Sequence, residues 1–140
     1  VTASPAVIQL ESALGAAIAS IPGARAVRVP RSRFLPVKTT DDLLVLRSDA
    51  YELDCESKLE LASACAGSAP LVELDRAHFA MIGDFDRRFD GGAPSLAGAE
   101  RLTVRGDVSF GADVTVTGSV TVEAPSEGHL EVPSGSLLAG

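Results

Sequence analysis

A short loop that contains two prolines holds most of the residues that could do chemistry in this sequence. It runs from Pro30 to Lys38 and holds three cations and one aromatic side chain: Arg31, Arg33, Lys38 and Phe34. Each proline fixes its own φ and lacks a backbone N–H, so this stretch cannot form a regular helix or a central strand. The loop therefore presents positive charge in a stiff setting, and sites tend to be built on loops of this kind.

Predicted helices flank this loop on both sides. A cap at Ser4 and apolar residues every three or four positions predict a first helix, which Pro22-Gly23 ends. The alternation over residues 25–29 predicts a short strand before the loop. After the loop, Thr39 to Asp42 predict the start of a second helix, because threonine caps a helix and aspartates favour its positive end. We expect this second helix to reach about Tyr51.

The middle of the chain predicts two strands and one helix. Residues 59–61 and 71–74 alternate as short strands do. A helix is expected from about Asp75 to Phe89, with a turn at residues 91–94 after it. Its predicted apolar side consists of Phe79, Ile82, Phe85 and Phe89. We expect this helix to cover the start of the region that follows.

From Leu102 the sequence repeats every six residues. The first position of successive repeats holds Leu102, Val108, Val114 and Val120, and the third holds Val104, Phe110, Val116 and Val122. This period is typical of a parallel β-helix, in which each hexad forms one face of a triangular coil. The pattern resumes at Leu130, after a predicted loop over Pro125 to His129. Ordinary hairpins are the alternative, since alternation with glycine turns also fits them.

Composition limits the class of protein. The chain has 140 residues, 46% hydrophobic and 22% charged, with a net charge of -7. These values argue against disorder and against a general nucleic-acid or membrane-surface binder. The chain has five phenylalanines, one tyrosine and no tryptophan, so its core must come mostly from aliphatic residues. Because it begins at Val1 without a signal-peptide pattern, we expect it to be part of a longer protein.

The cysteines and histidines carry no predicted chemistry. Cys55 and Cys65 are too few for a disulfide framework and lie outside the usual spacing of zinc ligands. His78 and His129 are isolated from each other and from the cysteines. We interpret all four as structural, packing or surface residues.

Four sequence blocks resemble the eukaryote-type UTP–glucose-1-phosphate uridylyltransferase (UDP-glucose pyrophosphorylase) family. The most specific block is residues 29–44, which is very similar to the family's VPRSRFLPVKTTxDLL motif. Residues 7–18 are similar to its QLE…GAAI helix, and residues 79–89 to its FxxVxDFxxRF helix. Residues 102–111 are similar to the start of its C-terminal left-handed β-helix. The blocks keep the family's order over nearly the whole chain.

The resemblance implies an α/β nucleotidyltransferase C-terminal remnant followed by a short left-handed parallel β-helix. Residues 1–52 would be the C-terminal end of the catalytic domain, residues 53–95 a linking strand and helix, and residues 96–140 the β-helix domain. The family's glycine-rich nucleotide loop and the residues that select uracil and sugar would lie upstream of Val1.

The resemblance also implies a reaction, in which UMP passes from UTP to glucose 1-phosphate to give UDP-glucose and pyrophosphate in the cytoplasm. Lys38 would contact phosphate as the catalytic residue, and Phe34 would line the sugar-nucleotide pocket. Arg33 and Arg31 would bind substrate or form structural salt bridges. Such a transfer needs positioning and neutralisation of negative charge, which suits a lysine on a stiff loop. Family members use Mg²⁺ with the nucleotide phosphates, and nothing in this sequence suggests a metal cage.

Other interpretations stay open. The full protein could act on another UDP-sugar, since the selecting residues would lie upstream. The β-helix could instead be a structural module for homo-oligomerisation. An acyltransferase built on hexapeptide repeats would need many more coils. We expect the isolated chain to be inactive without the missing N-terminal catalytic portion, and we expect no nucleic-acid or membrane partner.

Overall fold

The computed structural model describes residues 18–30 and 33–140, which belong to two separate units, Val1–Ser32 and Arg33–Gly140. In the first unit, residues 18–20 form a 3₁₀ turn, and the predicted end at Pro22-Gly23 is a turn with φ +80° at Gly23. Most of the predicted first helix, with its cap at Ser4, lies outside the described residues.

The predicted strand over residues 25–29 does not form. Residues 24–30 have no regular structure, and Val27 and Val29 are 84% and 59% exposed. A strand is stabilised by pairing with a neighbour, and none of the described residues pairs with this stretch. The prediction was therefore wrong for lack of a partner, although the alternation was present.

The second unit contains the regular elements of the fold. In chain order these are α1 (Thr40–Arg47), β1 (Tyr51–Leu53), β2 (Leu59–Leu61), a 3₁₀ turn (Ser63–Cys65), β3 (Leu71–Leu74), α2 (Arg76–Phe79), α3 (Ile82–Arg88), β4 (Ser95–Arg105), β5 (Asp107–Phe110), β6 (Thr115–Glu123), β7 (His129–Val132) and β8 (Leu137–Ala139). The chain is thus a mixed α/β structure in which most strands follow the helices.

Helix α1 begins where the sequence predicts and ends earlier. Thr39 is its N-cap, and the side chain of Asp42 completes a capping box. The helix stops at Arg47 because Ser48 is extended and its hydroxyl donates to the Val45 carbonyl at 2.7 Å. The chain then turns into β1 at Tyr51, so the predicted extension of α1 to that residue was wrong.

The strands of the second unit form one antiparallel pair and two parallel sheets. β1 pairs with β2 in the antiparallel sense. The larger parallel sheet has the order β3-β4-β6-β8, and β5 pairs with β7 in the smaller one. Leu102 lies opposite both Val72 and Val120, so stacked residues of β4 and β6 are three hexads apart. Because β4 to β8 pair only in the parallel sense, the hairpin alternative is wrong for this region.

The repeated apolar positions form the core, as the period predicts. Seven of the eight are buried, namely Leu102, Val104, Val108, Phe110, Val114, Val116 and Val122, and Val120 is partly buried against them. Burying a valine or leucine side chain is worth about 1.5–3 kcal/mol. The predicted loop before the last repeats ends one residue early, because His129 is already the first residue of β7.

The predicted helix over residues 75–89 is two helices. Met81 is extended, with φ -94° and ψ 136°, so α2 ends before it and α3 begins after it. Ile82 is therefore no longer one helical turn from Phe79, and it is 51% exposed instead of buried. The other three predicted apolar residues are buried, and their rings stack onto the repeats through Phe89 and Phe110, whose centroids are 5.0 Å apart.

Successive turns of the repeats touch at their corners without room for a side chain. A Cβ atom on Gly111 would lie 2.6 Å from the backbone nitrogen and 2.9 Å from the Cα of Ser134. The same backbone corner is tied by a hydrogen bond from the Gly111 N–H to the Val132 carbonyl at 2.9 Å. Glycine at this position is therefore required by the close approach of two backbone segments.

We predict that Gly111→Ala destabilises the 140-residue chain by about 1–3 kcal/mol, because the added methyl group must push two backbone segments apart. The free energy of unfolding in urea measures this. Gly83→Ala is the matched control, since a Cβ there meets nothing within 4 Å in α3. It should leave stability unchanged or raise it by up to about 1 kcal/mol. Equal stability of the two variants would contradict the close contact.

Candidate functional site

The described part of the predicted cationic loop is exposed and irregular, as the prolines predict. Residues 34–38 form no helix or strand, and the Phe34 side chain is 57% exposed. Arg33 is exposed and lies near Asp54, whose carboxyl pKa is lowered chiefly by the Lys58 backbone N–H and less by the Arg33 charge. Arg31 lies outside the described residues. The C-terminal end of the loop is Lys38, which directly precedes Thr39, the N-cap of α1.

The backbone at Lys38 is held by a carboxylate of α1. Asp42 Oδ2 accepts the Lys38 N–H at 2.9 Å and the Thr39 N–H at 3.0 Å. It also lies 3.2 Å from Thr39 Oγ1. The Lys38 backbone hydrogen bond is the largest cause that lowers the pKa of the Asp42 carboxyl. Lys38 therefore lies just before α1, with its backbone N–H held by Asp42 and its side chain exposed.

A cleft beside α1 brings Lys38 close to the end of β3. Its lining is Lys38, Thr39, Thr40, Asp41, Leu74, Arg76 and Ala80. Asp41 Oδ1 accepts the Leu74 N–H at 2.9 Å, which fastens the first turn of α1 to β3. The cleft carries two cations, while Phe34 is not among the described residues that line it. The structure therefore brings Lys38 together with Arg76, which the sequence did not single out, and does not bring Phe34 to the same cleft.

Two further aspartates fasten the helical region to the parallel strands. Asp49 Oδ1 accepts the Leu96 and Ala97 N–H groups at 2.7 and 2.9 Å, at the start of β4. Asp75 Oδ1 caps α2 by accepting the Ala77 N–H, and its Oδ2 accepts the Gly106 N–H at 2.9 Å. Both backbone hydrogen bonds lower the pKa of the Asp75 carboxyl, that to Gly106 most. The sequence signal for these roles is weak, because only the cap at Asp75 depends on local spacing.

The two histidines, isolated in the sequence, meet at Asp107. Asp107 Oδ1 is 3.3 Å from His129 Nδ1 and 3.9 Å from His78 Nδ1. Arg88 donates to the same oxygen with Nε at 3.0 Å and Nη2 at 2.8 Å. Hydrogen bonding from Arg88, and then from His129, lowers the pKa of the Asp107 carboxyl. This cluster joins α2, α3, β5 and β7, and sequence reasoning missed it because its members come from four separate elements.

Ser109, His129 and Asp107 lie in a row, as the nucleophile, the base and the orienting carboxylate of a catalytic triad do. Ser109 Oγ is 2.8 Å from His129 Nε2, while His129 Nδ1 faces Asp107. However, the Asp107 oxygen that faces His129 already accepts two hydrogen bonds from Arg88, so the guanidinium neutralises the carboxylate. We interpret the cluster as a structural ion-pair network.

A sequence profile described as UTP–glucose-1-phosphate uridylyltransferase matches residues 1–117. This match includes the cationic loop, α1 and the first repeats. The chain belongs to the UTP–glucose-1-phosphate uridylyltransferase family. The resemblance found in the four sequence blocks is thereby confirmed.

Similarity to known uridylyltransferases over nearly all of the chain supports the family assignment. The Saccharomyces cerevisiae enzyme is 43% identical over 133 residues, which are 94% of this chain and 26% of the relative. The Solanum tuberosum enzyme is 45% identical over 134 residues, 95% of this chain and 28% of the relative. A mutant UDP-glucose pyrophosphorylase from Leishmania major, solved with UDP-glucose, has a TM-score of 0.80 at 47% identity. The match covers 99% of this chain and 29% of that chain.

The chain therefore spans little more than a quarter of the length of these uridylyltransferase relatives. Among residues 18–30 and 33–140, no group of three or more histidine, cysteine or acidic residues could hold a metal ion. This finding concerns a metal site built from protein ligands alone, since Mg²⁺ bound to nucleotide phosphates needs only one or two carboxylates. Within the same ranges, no helix has the length and apolar character needed to cross a bilayer.

We predict that Arg88→Met lowers the melting temperature of the 140-residue chain by roughly 3–8 °C, because it removes the paired donors of Asp107. Arg87→Met is the control, since Arg87 pairs with Asp84 within α3 and its side chain is 73% exposed. This control should change the melting temperature little.

The effect of Arg88→Met should depend on pH. Asp107 has a lowered pKa in the folded protein, so its stabilisation is present above the ordinary carboxyl pKa of about 3.9. This stabilisation decreases below that pH and is lost as pH falls through the lowered pKa of folded Asp107. The difference in melting temperature between Arg88→Met and wild type should therefore stay constant from about pH 7 to about pH 5 and narrow as pH falls below about 4. A constant difference would show that Arg88 acts through packing alone.

Proposed function

We propose that the chain is the C-terminal part of an enzyme that transfers UMP from UTP to glucose 1-phosphate, giving UDP-glucose and pyrophosphate. The observation that carries this proposal is the family match over residues 1–117, which includes the whole cationic loop. The solved Leishmania major relative that holds UDP-glucose supports the same substrate class. A pyrophosphorylase for another UDP-sugar is the alternative, because the selecting residues are expected outside this chain.

In this proposal Lys38 is the catalytic residue, and Phe34, Arg33 and Arg31 bind substrate. The attacking oxygen of glucose 1-phosphate forms a bond to the α-phosphorus of UTP while the bond to pyrophosphate breaks. Negative charge spreads over the transferring group, and a fixed cation lowers the energy of that state. Lys38 suits this role because α1 holds it through its backbone N–H. We place the Mg²⁺ of the reaction on the nucleotide phosphates and not on these residues.

We also propose a domain division, with residues 1–52 ending the catalytic domain, residues 53–95 linking, and residues 96–140 forming a left-handed parallel β-helix. The parallel pairing of β4 with β6, three hexads apart, supports a coil of three faces. The pairing of β5 with β7 supports it as well. The hydrogen bonds of Asp41 and Asp49 would then join the end of the catalytic domain to the regions after it.

We propose that the enzyme works in the cytoplasm. Its two thiols support this, because Cys55 and Cys65 are both free in the structure. Unpaired cysteines are typical of a reducing compartment. Burial raises the pKa of the Cys65 thiol further, so it stays protonated and unreactive.

We predict that Lys38→Ala in the full-length enzyme lowers turnover by about 100-fold or more, because the transition state loses a charge partner. The rate of UDP-glucose formation from UTP and glucose 1-phosphate measures this. Lys58→Ala is the control, since Lys58 pairs with Glu60 on the β1–β2 hairpin and is not part of the loop.

An unchanged rate in Lys38→Ala would remove Lys38 from the catalytic machinery. The same assay with other sugar 1-phosphates decides between glucose and an alternative sugar. The 140-residue chain alone should form no UDP-glucose, since most of the length of its relatives is missing from it.

A second function is supported by the edge of the larger parallel sheet. β8 pairs with β6 on one side, and nothing in residues 33–140 pairs with its other side. Leu137 on this strand is 68% exposed. An open strand edge with an exposed leucine favours pairing with another chain. We propose that the β-helix aids assembly of a homo-oligomer through β8.

We predict that the full-length enzyme forms an oligomer that Leu137→Lys dissociates, because a charged side chain blocks pairing at the edge. Light scattering after size-exclusion chromatography, at several concentrations, measures the mass. Leu53→Lys is the matched control, because Leu53 is a leucine of similar exposure, 69%, on β1. A wild-type monomer at every concentration would contradict the assembly role.

A further inference from the structure

The Asp42 carboxylate does more than cap α1. In a capping box, the side chain three residues into the helix accepts the N–H of the N-cap residue. Asp42 makes this bond to Thr39 and accepts a second N–H, that of Lys38, one residue further back along the chain. The second hydrogen bond lies outside the helix and fixes the backbone of the residue whose side chain carries the charge.

The helix that holds Lys38 is itself fixed to the sheet. Asp41, the neighbour of Asp42, accepts the N–H of Leu74 at the end of β3. β3 pairs in parallel with β4, where Leu74 lies opposite Val104 of the buried core. Two hydrogen bonds, joined by the backbone of α1 between Asp41 and Asp42, therefore connect the core strands to the backbone of Lys38.

We propose that Asp42 is a positioning residue for Lys38, fixing the place of its ammonium relative to the sheet through the Lys38 backbone N–H. This inference rests on the proposed function, in which Lys38 contacts the transferring phosphate. Displacing a catalytic group by about 1 Å can cost roughly 100-fold in rate. A carboxylate is suited to the task because an anionic acceptor makes stronger hydrogen bonds than a neutral one. The lowered pKa of Asp42 keeps it ionised at neutral pH.

The test is Asp42→Ala in the full-length enzyme, compared with Asp75→Ala. Asp75 is a matched control, because it also accepts two backbone N–H groups and caps a helix, but it lies outside the Lys38 loop. We expect Asp42→Ala to lower kcat roughly 10- to 100-fold, while Asp75→Ala at a similar loss of melting temperature changes kcat less than about 2-fold. Equal kcat losses in the two variants would overturn the proposal.

A double variant separates positioning from a general loss of stability. If Asp42 acts through Lys38, then Asp42→Ala added to Lys38→Ala should lower kcat little further. A reduction as large as in the wild-type background would overturn the proposal. If Asp42→Ala does not fold, Asp42→Asn with Asp75→Asn as control provides the same comparison, because asparagine keeps one neutral acceptor.

These outcomes also distinguish the inference from the proposed function. An unchanged rate in Lys38→Ala would overturn the catalytic role of Lys38 and the positioning role with it. A large loss in Lys38→Ala with no specific loss in Asp42→Ala would overturn the positioning role alone.

Discussion

The fold of residues 33–140 depends on aspartate side chains that accept backbone N–H groups at the ends of parallel strands. Asp41 does this at the end of β3, Asp49 at the start of β4, and Asp75 at the bend between β4 and β5. A backbone N–H that loses water without finding an acceptor costs about 1–3 kcal/mol. At a strand end the neighbouring strand has no carbonyl to offer, so a side chain must provide the acceptor. Each of these hydrogen bonds also fixes a helix or turn to one particular place on the sheet.

The features that could be predicted are those set by near neighbours in the sequence. The hexad period determines which side chains point inward, and these positions form the core because successive hexads repeat the same strand geometry. The cap of α1 was predictable as well, since Thr39 and Asp42 satisfy each other over three residues. The irregular backbone of residues 34–38 follows from Pro36 alone. In each case the cause and the result lie within a few residues of one another.

The features that could not be predicted depend on distant partners. The strand expected at residues 25–29 lacks a neighbour among the described residues, and alternation alone does not supply one. The early end of α1 depends on a hydroxyl of Ser48, which could equally have faced solvent. The meeting of His78 and His129 at Asp107 requires α2, β7 and β5 to come together, and no spacing in the sequence encodes that. For the candidate site, the sequence indicated Lys38, its loop and the cap of α1, while the hydrogen bond from the Lys38 N–H to Asp42 became visible only in the structure.

An acidic residue beside the lysine that we propose to bind phosphate poses an electrostatic problem, because a nearby carboxylate repels the anion that the lysine should attract. Asp42 is such a residue, because it lies only four positions from Lys38. Its Oδ2 atom receives two backbone N–H groups and faces the Thr39 hydroxyl. These dipoles offset much of the carboxylate's charge close to its source, so the field that reaches the loop is weakened. The same hydrogen bonds that fix the Lys38 backbone therefore also lessen the repulsion that Asp42 would exert on a phosphate.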